Sequence, residues 1–145
     1  MILVDANLLL YAANQAAPEH PLARAWLDER LNRTARVGLP WPALLAFVRL
    51  ASNPVAVRSP VTPARAWQQV EEWLARQPAW IPAPGPQHAQ ILGRLLEAGW
   101  MTSRLVPDAH LAALAIEHGL TLCSTDGDFA RFPGLRWENP LAAAG

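Results

Sequence analysis

Three aspartates, Asp5, Asp108 and Asp126, stand where acidic side chains could share one site, and Asp128 follows two residues after the last of them. Carboxylates gathered at one point repel each other unless a hard cation neutralises them. Two or three carboxylates completed by water are a common way for proteins to bind Mg²⁺ or Mn²⁺. Such a metal activates water and stabilises the charge on a phosphoryl group. The aspartates therefore predict a metal site suited to phosphoryl chemistry.

Each aspartate also has an alternative, structural role. Asp108 lies behind Pro107 in a predicted first helical turn, where a negative charge interacts favourably with the helix dipole. Asp126 precedes Gly127 in a dipeptide that is typical of turns. Asp5 has the fewest structural duties, because it closes an apolar run that we predict to be a buried strand. Its position therefore favours a functional role.

The elements that must position these acids alternate along the chain. Apolar runs predict strands over residues 1–5, 37–39, 80–81, 120–124 and 135–137. Helical spacing of apolar residues predicts six helices, over about 6–13, 21–33, 41–51, 63–76, 87–98 and 106–118. This alternation predicts a single α/β domain over residues 1–145, with helices on both faces of a central, mainly parallel sheet. Ligands bind beyond the carboxyl ends of the strands in such a fold, which is where Asp5 and Asp126 stand.

The composition of the chain excludes several classes of function. The 12 basic residues are all arginine and balance 12 acidic ones, so the net charge neither supports nor opposes nucleic-acid binding. The absence of lysine excludes a Walker phosphate loop and Schiff-base chemistry, and no nucleotide cofactor is expected. The apolar runs are too short to span a membrane, and the chain opens without a secretory signal. We therefore expect a cytoplasmic protein.

Cysteine, histidine and tryptophan offer no competing site. Cys123 is the only cysteine, and we expect it to be a buried structural thiol. The four histidines do not have metal-ligand spacing. The 7 tryptophans are spread too widely to predict a base-stacking platform, and we expect them in the core or in an interface.

Three segments resemble the motifs of PIN domains in VapC-type toxins. They are residues 2–11 (ILVDANLLLY), 106–115 (VPDAHLAALA) and 122–129 (LCSTDGDF), in the order and spacing of that family. The resemblance covers essentially the whole chain. It implies a three-layer α/β/α PIN-like fold.

The resemblance also implies a function. It indicates a metal-dependent endoribonuclease, the toxin of a VapBC-type toxin–antitoxin system, in which water activated by Mg²⁺ or Mn²⁺ attacks the phosphorus of RNA. Asp5, Asp108 and Asp126 are then the metal ligands and, with Asp128, the catalytic acids. The implied partners are a VapB-type antitoxin, whose tail occludes the acidic groove, and a second copy of the chain in a homodimer.

The chain departs from the family at one position. The family's glutamate on the third helix corresponds to Phe47, which weakens the case for a second metal ion and leaves open whether Asp128 or Asn7 compensates. Asn7, Thr125 and Arg49 are the candidates for substrate binding. Thr125 could instead satisfy local backbone, and Arg49 could be a solvated surface cation.

Two alternative functions follow from the same residues. With Phe47 in place of the glutamate, the chain could be a degenerate PIN domain that acts as a non-catalytic binding module. A haloacid-dehalogenase-like phosphatase also begins with an aspartate at a strand end, but its second aspartate would fall at Asn7. The missing lysine argues against the phosphatase as well.

Overall fold

A computed structural model of the chain describes residues 1–142, so the last three residues of the predicted domain, 143–145, lie outside the described residues. Within this range one sheet has the strand order β3-β2-β1-β4-β5, and every neighbouring pair is parallel. The predicted α/β class with a parallel sheet is confirmed. The strands are β1 (Ile2–Val4), β2 (Val37–Gly38), β3 (Ala79–Trp80), β4 (Thr121–Cys123) and β5 (Trp137–Glu138).

The six predicted helices are all present. They are α1 (Ala6–Ala13), α2 (His20–Leu31), α3 (Trp41–Ala51), α4 (Pro63–Leu74), α5 (His88–Leu96) and α6 (Val106–His118), with short 3₁₀ turns at Ser103–Leu105 and Gly127–Arg131. The hydroxyl of Thr62 caps α4 by accepting from the Arg65 N–H at 3.1 Å. Gly119 ends α6 with a positive φ of 68°. None of the helices in residues 1–142 combines the length and apolar character needed to cross a membrane.

Helices cover both faces of the sheet because alternate strand residues point to opposite sides. Ile2 and Val4 pack with the buried residues of α1 to α4, whereas Leu3 packs with those of α5 and α6. Cys123 is buried on the first of these faces, as predicted for a structural thiol, and burial first of all raises its pKa to about 12. The three-layer α/β/α arrangement is confirmed.

The chain changes direction across the sheet between β1 and β4. The strands β1, β2 and β3 succeed one another toward one edge, whereas β4 lies on the other side of β1 and is followed by β5. Such a switch point opens a crevice at the carboxyl ends of the two strands on either side of it. Helix α6 precedes β4 and must run back along the sheet, so the first turn of α6 also lies at this edge.

Glu117 of α6 holds the segment that leads into α5. Its Oε1 accepts from the Gly85 N–H at 2.8 Å and its Oε2 from the Gln87 N–H at 2.9 Å. The Gly85 bond first of all lowers the pKa of the Glu117 carboxyl. A Cβ atom at Gly85 would lie only 2.5 Å from Oε2. This segment therefore requires a glycine next to the carboxylate.

We expect Gly85→Ala to lower the melting temperature by several degrees at neutral pH, because the new methyl group displaces the Glu117 carboxylate. A depressed carboxyl pKa stabilises the fold above the usual pKa of glutamate and stops doing so as pH falls through the lowered value. The difference between variant and wild type should therefore narrow in acid. Gly93→Ala is the control, since a Cβ there meets nothing within 4 Å and α5 gains helix propensity. A melting temperature of Gly85→Ala equal to that of the wild type would contradict this role of Glu117.

Candidate metal and nuclease site

The carboxylate of Asp5 lies at the switch point, directly after β1. Its Oδ1 accepts from the Ala6 N–H at 2.7 Å and so caps α1. Its Oδ2 accepts from the Ser124 hydroxyl at 2.8 Å. Burial raises the pKa of Asp5, the Ser124 and Ala6 hydrogen bonds oppose that rise, and the charge of Asp126 adds to it. One oxygen of Asp5 therefore caps α1, a role that the sequence did not reveal. The other oxygen contacts Ser124, which follows β4.

Ser124 connects the two strand ends, and sequence reasoning missed it. Its side chain is fully buried, and its hydroxyl oxygen accepts from the Asn7 Nδ2 and from the Asp126 N–H, each at 3.0 Å. With the bond to Asp5, this one oxygen joins residues that are about 120 positions apart in sequence. A polar residue at the end of the apolar run 120–124 was the available signal. Ser124 sets the relative positions of Asp5 and Asp126.

We expect Ser124→Ala to destabilise the protein by about 1–2 kcal/mol, because the variant leaves the Asp126 N–H without its buried acceptor. Urea unfolding at neutral pH measures the change. The double variant Ser124→Ala/Asp5→Asn should be less destabilised than the sum of the single variants, since the two groups share one hydrogen bond. Strict additivity would show that the contact carries no energy.

Asp126 and Asp128 occupy the turn that follows β4, where they have different partners. The Oδ1 of Asp126 accepts from the Asp128 N–H at 2.9 Å and caps the 3₁₀ turn. The cap of this turn is therefore Asp126. Asp128 instead faces two arginines, with 3.1 Å to Arg104 Nη1 and 3.8 Å to Arg131 Nη2.

Asp108 lies in the first turn of α6, near enough to the other acids for their charges to act on it. Its pKa is raised to about 6, first by burial and then by the charges of Asp126, Asp5 and Asp128. Arg104 opposes that rise. The exposed side chain of Arg104 is thus, with Arg131, one of two cations at this acidic edge, and the sequence analysis singled out neither.

The candidate substrate-binding residues are not all at this edge. Asn7 belongs to the network, since its Oδ1 accepts from the Thr125 N–H at 3.4 Å and its Nδ2 donates to Ser124. Thr125 therefore contacts Asn7 through its backbone N–H. Arg49 is exposed in the last turn of α3, a helix that begins at this edge and leads away from it. The structure does not bring Arg49 to the acids.

Phe47 does not face the acids either. It is buried, and its ring packs against Trp73 of α4 with 4.8 Å between ring centroids. Helix α3 contains no aspartate or glutamate at any position. The acidic edge is therefore built by β1, β4 and α6 without a carboxylate from α3.

The donors at this edge suit a hard cation. Carboxylate, amide and hydroxyl oxygens are the ligands of Mg²⁺ and Mn²⁺. The mutual repulsion that raises the pKa of Asp108 is the charge pattern that a divalent cation relieves. Within residues 1–142, no group of three or more His, Cys, Asp or Glu side chains already has the arrangement of a metal-ligand set. The residues at this edge therefore fit a cation by their chemistry and charge.

Known proteins are similar to this chain over most of its length. The PIN domain family matches residues 2–135. The chain is 46% identical over 142 residues to Ribonuclease VapC37 of Mycobacterium tuberculosis, a match that spans 98% of this chain and 99% of that protein. It is 40% identical over 141 residues to Ribonuclease VapC33 of the same species, across 97% of this chain and 99% of the relative.

Solved structures share the fold at low sequence identity. VapBC2 from Rickettsia felis, bound to a promoter DNA fragment, gives a TM-score of 0.68 at 20% identity and covers 96% of this chain and 98% of its own. FitAcB from Neisseria gonorrhoeae gives a TM-score of 0.66 at 21% identity, with coverage of 99% and 100%. At these identities the likeness concerns the three-layer architecture.

Proposed function

Because this chain belongs to the PIN-domain family, we propose that it is an endoribonuclease that hydrolyses RNA phosphodiester bonds as the toxin of a VapBC-type toxin–antitoxin pair. Relatives that match nearly its whole length are named ribonucleases. The observation that carries the proposal is the joining of Asp5 and Asp126 through Ser124, with the first turn of α6, which contains Asp108, at the same edge of the sheet. Family membership also sets aside the phosphatase alternative, in which Asn7 would have to be an aspartate.

The proposed cofactor is Mg²⁺ or Mn²⁺, held by Asp5, Asp108 and Asp126. When bound, such a cation lowers the pKa of water and stabilises the charge of a phosphoryl group. The Ser124 hydroxyl orients the Asp5 carboxylate toward the shared site. Asp128 flanks the site under the restraint of Arg104 and Arg131 and completes the set of catalytic acids.

The substrate side of the proposal concerns the polar groups around the acids. Asn7 and Thr125, which lie beside Asp5 and Asp126, are the proposed contacts to the phosphate next to the bond that is cut. Arg104 offers an exposed guanidinium at the same edge, suited to a phosphate oxygen. Arg49 lies further along α3 and would meet RNA only beyond that phosphate.

The proposed partners are a VapB-type antitoxin and a second copy of the chain. The structural relatives include VapBC complexes from several bacteria, which is the support for a protein partner of this kind. A tail that enters the acidic edge must bring positive charge, because the carboxylates of Asp5, Asp108 and Asp126 repel each other there.

Cleavage of a single-stranded RNA by the purified chain tests the proposal. We expect cleavage with Mg²⁺ or Mn²⁺ and none with EDTA. The competing function is a non-catalytic PIN module, favoured by the absence of any acid from α3. Calorimetry with Mn²⁺ separates the two, because a degenerate site should bind the ion weakly or not at all. Absence of both cleavage and Mn²⁺ binding would favour the module.

A further inference from the structure

Two tryptophans that are 26 positions apart form an exposed stacked pair. The indole rings of Trp41 on α3 and Trp67 on α4 are nearly parallel, with 6.1 Å between centroids and 5° between planes. Trp41 is 44% exposed and Trp67 is 37% exposed. Aromatic surface of this size is normally buried, since it contributes strongly to the hydrophobic core. Packing in the core therefore does not explain why these two partly exposed tryptophans stack on each other.

The remaining tryptophans are accounted for by the fold. Trp73 packs against Phe47, Trp80 against His118, Trp100 against Phe132, Trp26 against the core of the α1–α4 side, and the Trp137 Nε1 donates to the Ser124 carbonyl. The Trp41–Trp67 pair differs from these in its exposure. The two residues are widely separated in the sequence, but tertiary packing of α3 on α4 brings them together.

The pair stands near the acidic edge because of the sheet register. Ile2 pairs with Val37 and Leu3 with Gly38, so the position level with Asp5 on the β2 side is Pro40. Neighbouring strands are about 4.8 Å apart. Trp41 follows Pro40 and begins α3. The pair therefore begins one strand away from the carboxylate of Asp5.

The exposed face of α3 continues from Trp41 with a suitable chemistry. Leu45 and Arg49 follow at intervals of four residues, so the three side chains form a stripe along the helix, and all three are exposed. Arg49 makes no ion pair with any of residues 1–142. Aromatic side chains followed along the same helix face by an arginine without an ion pair can bind single-stranded nucleic acid, by stacking of bases and contact with phosphate.

We propose that Trp41 and Trp67 form a stacking platform for an unpaired base of the RNA, close to the bond that is cut. The proposal rests on the proposed function for the identity of the ligand. The platform positions the strand, and Arg49 contacts a phosphate about 12 Å further along α3. Stacking on indole accepts every base, so the platform selects unpaired RNA and leaves base sequence undefined.

Fluorescence anisotropy with a labelled single-stranded RNA in EDTA tests the platform without cleavage. We expect Trp41→Ala and Trp67→Ala each to weaken binding roughly 10-fold, while Trp41→Phe keeps most of the affinity. Leu22→Ala removes an exposed apolar side chain on α2 and is the matched control. Replacing the bases by abasic sites should weaken binding to the wild type and have little further effect on Trp41→Ala.

Two results would overturn the platform. One is equal affinity of wild type and both alanine variants for the intact RNA. The other is conversion of a dimer to a monomer by Trp41→Ala, seen by sedimentation, which would assign the pair to an interface between copies. A failure of the proposed function gives a different result from a failure of the platform. Binding of RNA in EDTA tests the platform alone, whereas cleavage with Mg²⁺ tests the acids. Wild-type cleavage by folded variants that bind normally would therefore remove the platform and keep the nuclease.

Discussion

Asp5→Asn should reduce RNA cleavage roughly 100-fold or more while the fold is retained. The amide oxygen of asparagine can still accept from the Ala6 N–H, so the cap of α1 survives. The amide nitrogen would replace Oδ2 next to the Ser124 hydroxyl, whose oxygen already accepts from Asn7 and from the Asp126 N–H, so that one hydrogen bond is lost. The variant therefore lacks the negative charge and one side-chain hydrogen bond. The rate of cleavage of a single-stranded RNA in Mg²⁺, together with the melting temperature, measures both effects.

Asp28→Asn is the matched control for this experiment. Asp28 is an exposed aspartate on α2 that lies 3.7 Å from Arg24 Nε, and its loss should leave cleavage unchanged. Unchanged cleavage by Asp5→Asn would remove Asp5 from the metal site. A large fall in melting temperature for Asp5→Asn would instead point to its capping role as the reason for any loss of activity.

The sequence predicted those parts of the site that follow from strand ends. Asp5 and Asp126 each come directly after an apolar run, and a parallel sheet brings such ends to one edge. Short-range signals also predicted that α4 begins at 63, where Thr62 caps it, and that α6 ends at 118, where Gly119 follows. Strands of two residues were less well placed, and β5 begins at Trp137 where 135 was expected. So short a strand is fixed by its neighbour rather than by its own pattern.

Contacts between distant residues could not be predicted from one sequence. The Ser124 bond to Asp5 spans 119 positions, and the Arg104 bond to Asp128 spans 24. Neither serine nor arginine has a local pattern that identifies its tertiary partner. The Trp41–Trp67 pair was missed for the same reason. Each of these contacts depends on the packing of separate elements.

The absence of an acid from α3 changes how the site must work. Phe47 contributes to the core with Trp73, so the family's glutamate position serves stability in this chain. The negative charge is then concentrated on β1, β4 and α6. With fewer carboxylates, the acids repel each other less when no cation is bound. The effect is seen at Asp108, whose pKa is raised first by burial and then by the charges of Asp126, Asp5 and Asp128.

Asp108→Asn should therefore separate stability from activity. A carboxyl group whose pKa is raised in the folded protein makes folding less favourable as pH increases from its unfolded value to its folded one. For Asp108 this window lies between 3.8 and about 6. Asparagine has no charge to bury and none to be repelled by the other acids, so at pH 7 the metal-free variant should be more stable than the wild type by about 1 kcal/mol, since solvent screens part of the interaction. Cleavage should fall by roughly 100-fold or more.

Unfolding by urea at pH 4 and pH 7, with EDTA or with Mg²⁺, measures this trade-off. In EDTA the two proteins should be close in stability at pH 4 and diverge by pH 7, because only the wild type has a carboxylate to ionise there. Mg²⁺ should stabilise the wild type more than the variant, since an ion that binds only the folded state adds its binding free energy to folding. A variant that is less stable than the wild type at pH 7 in EDTA would show that the Asp108 carboxylate is stabilised by the dipole of α6, as an acid in a first helical turn can be. The sign of the change in unfolding free energy thus distinguishes an acid that binds a cation from an acid that stabilises a helix.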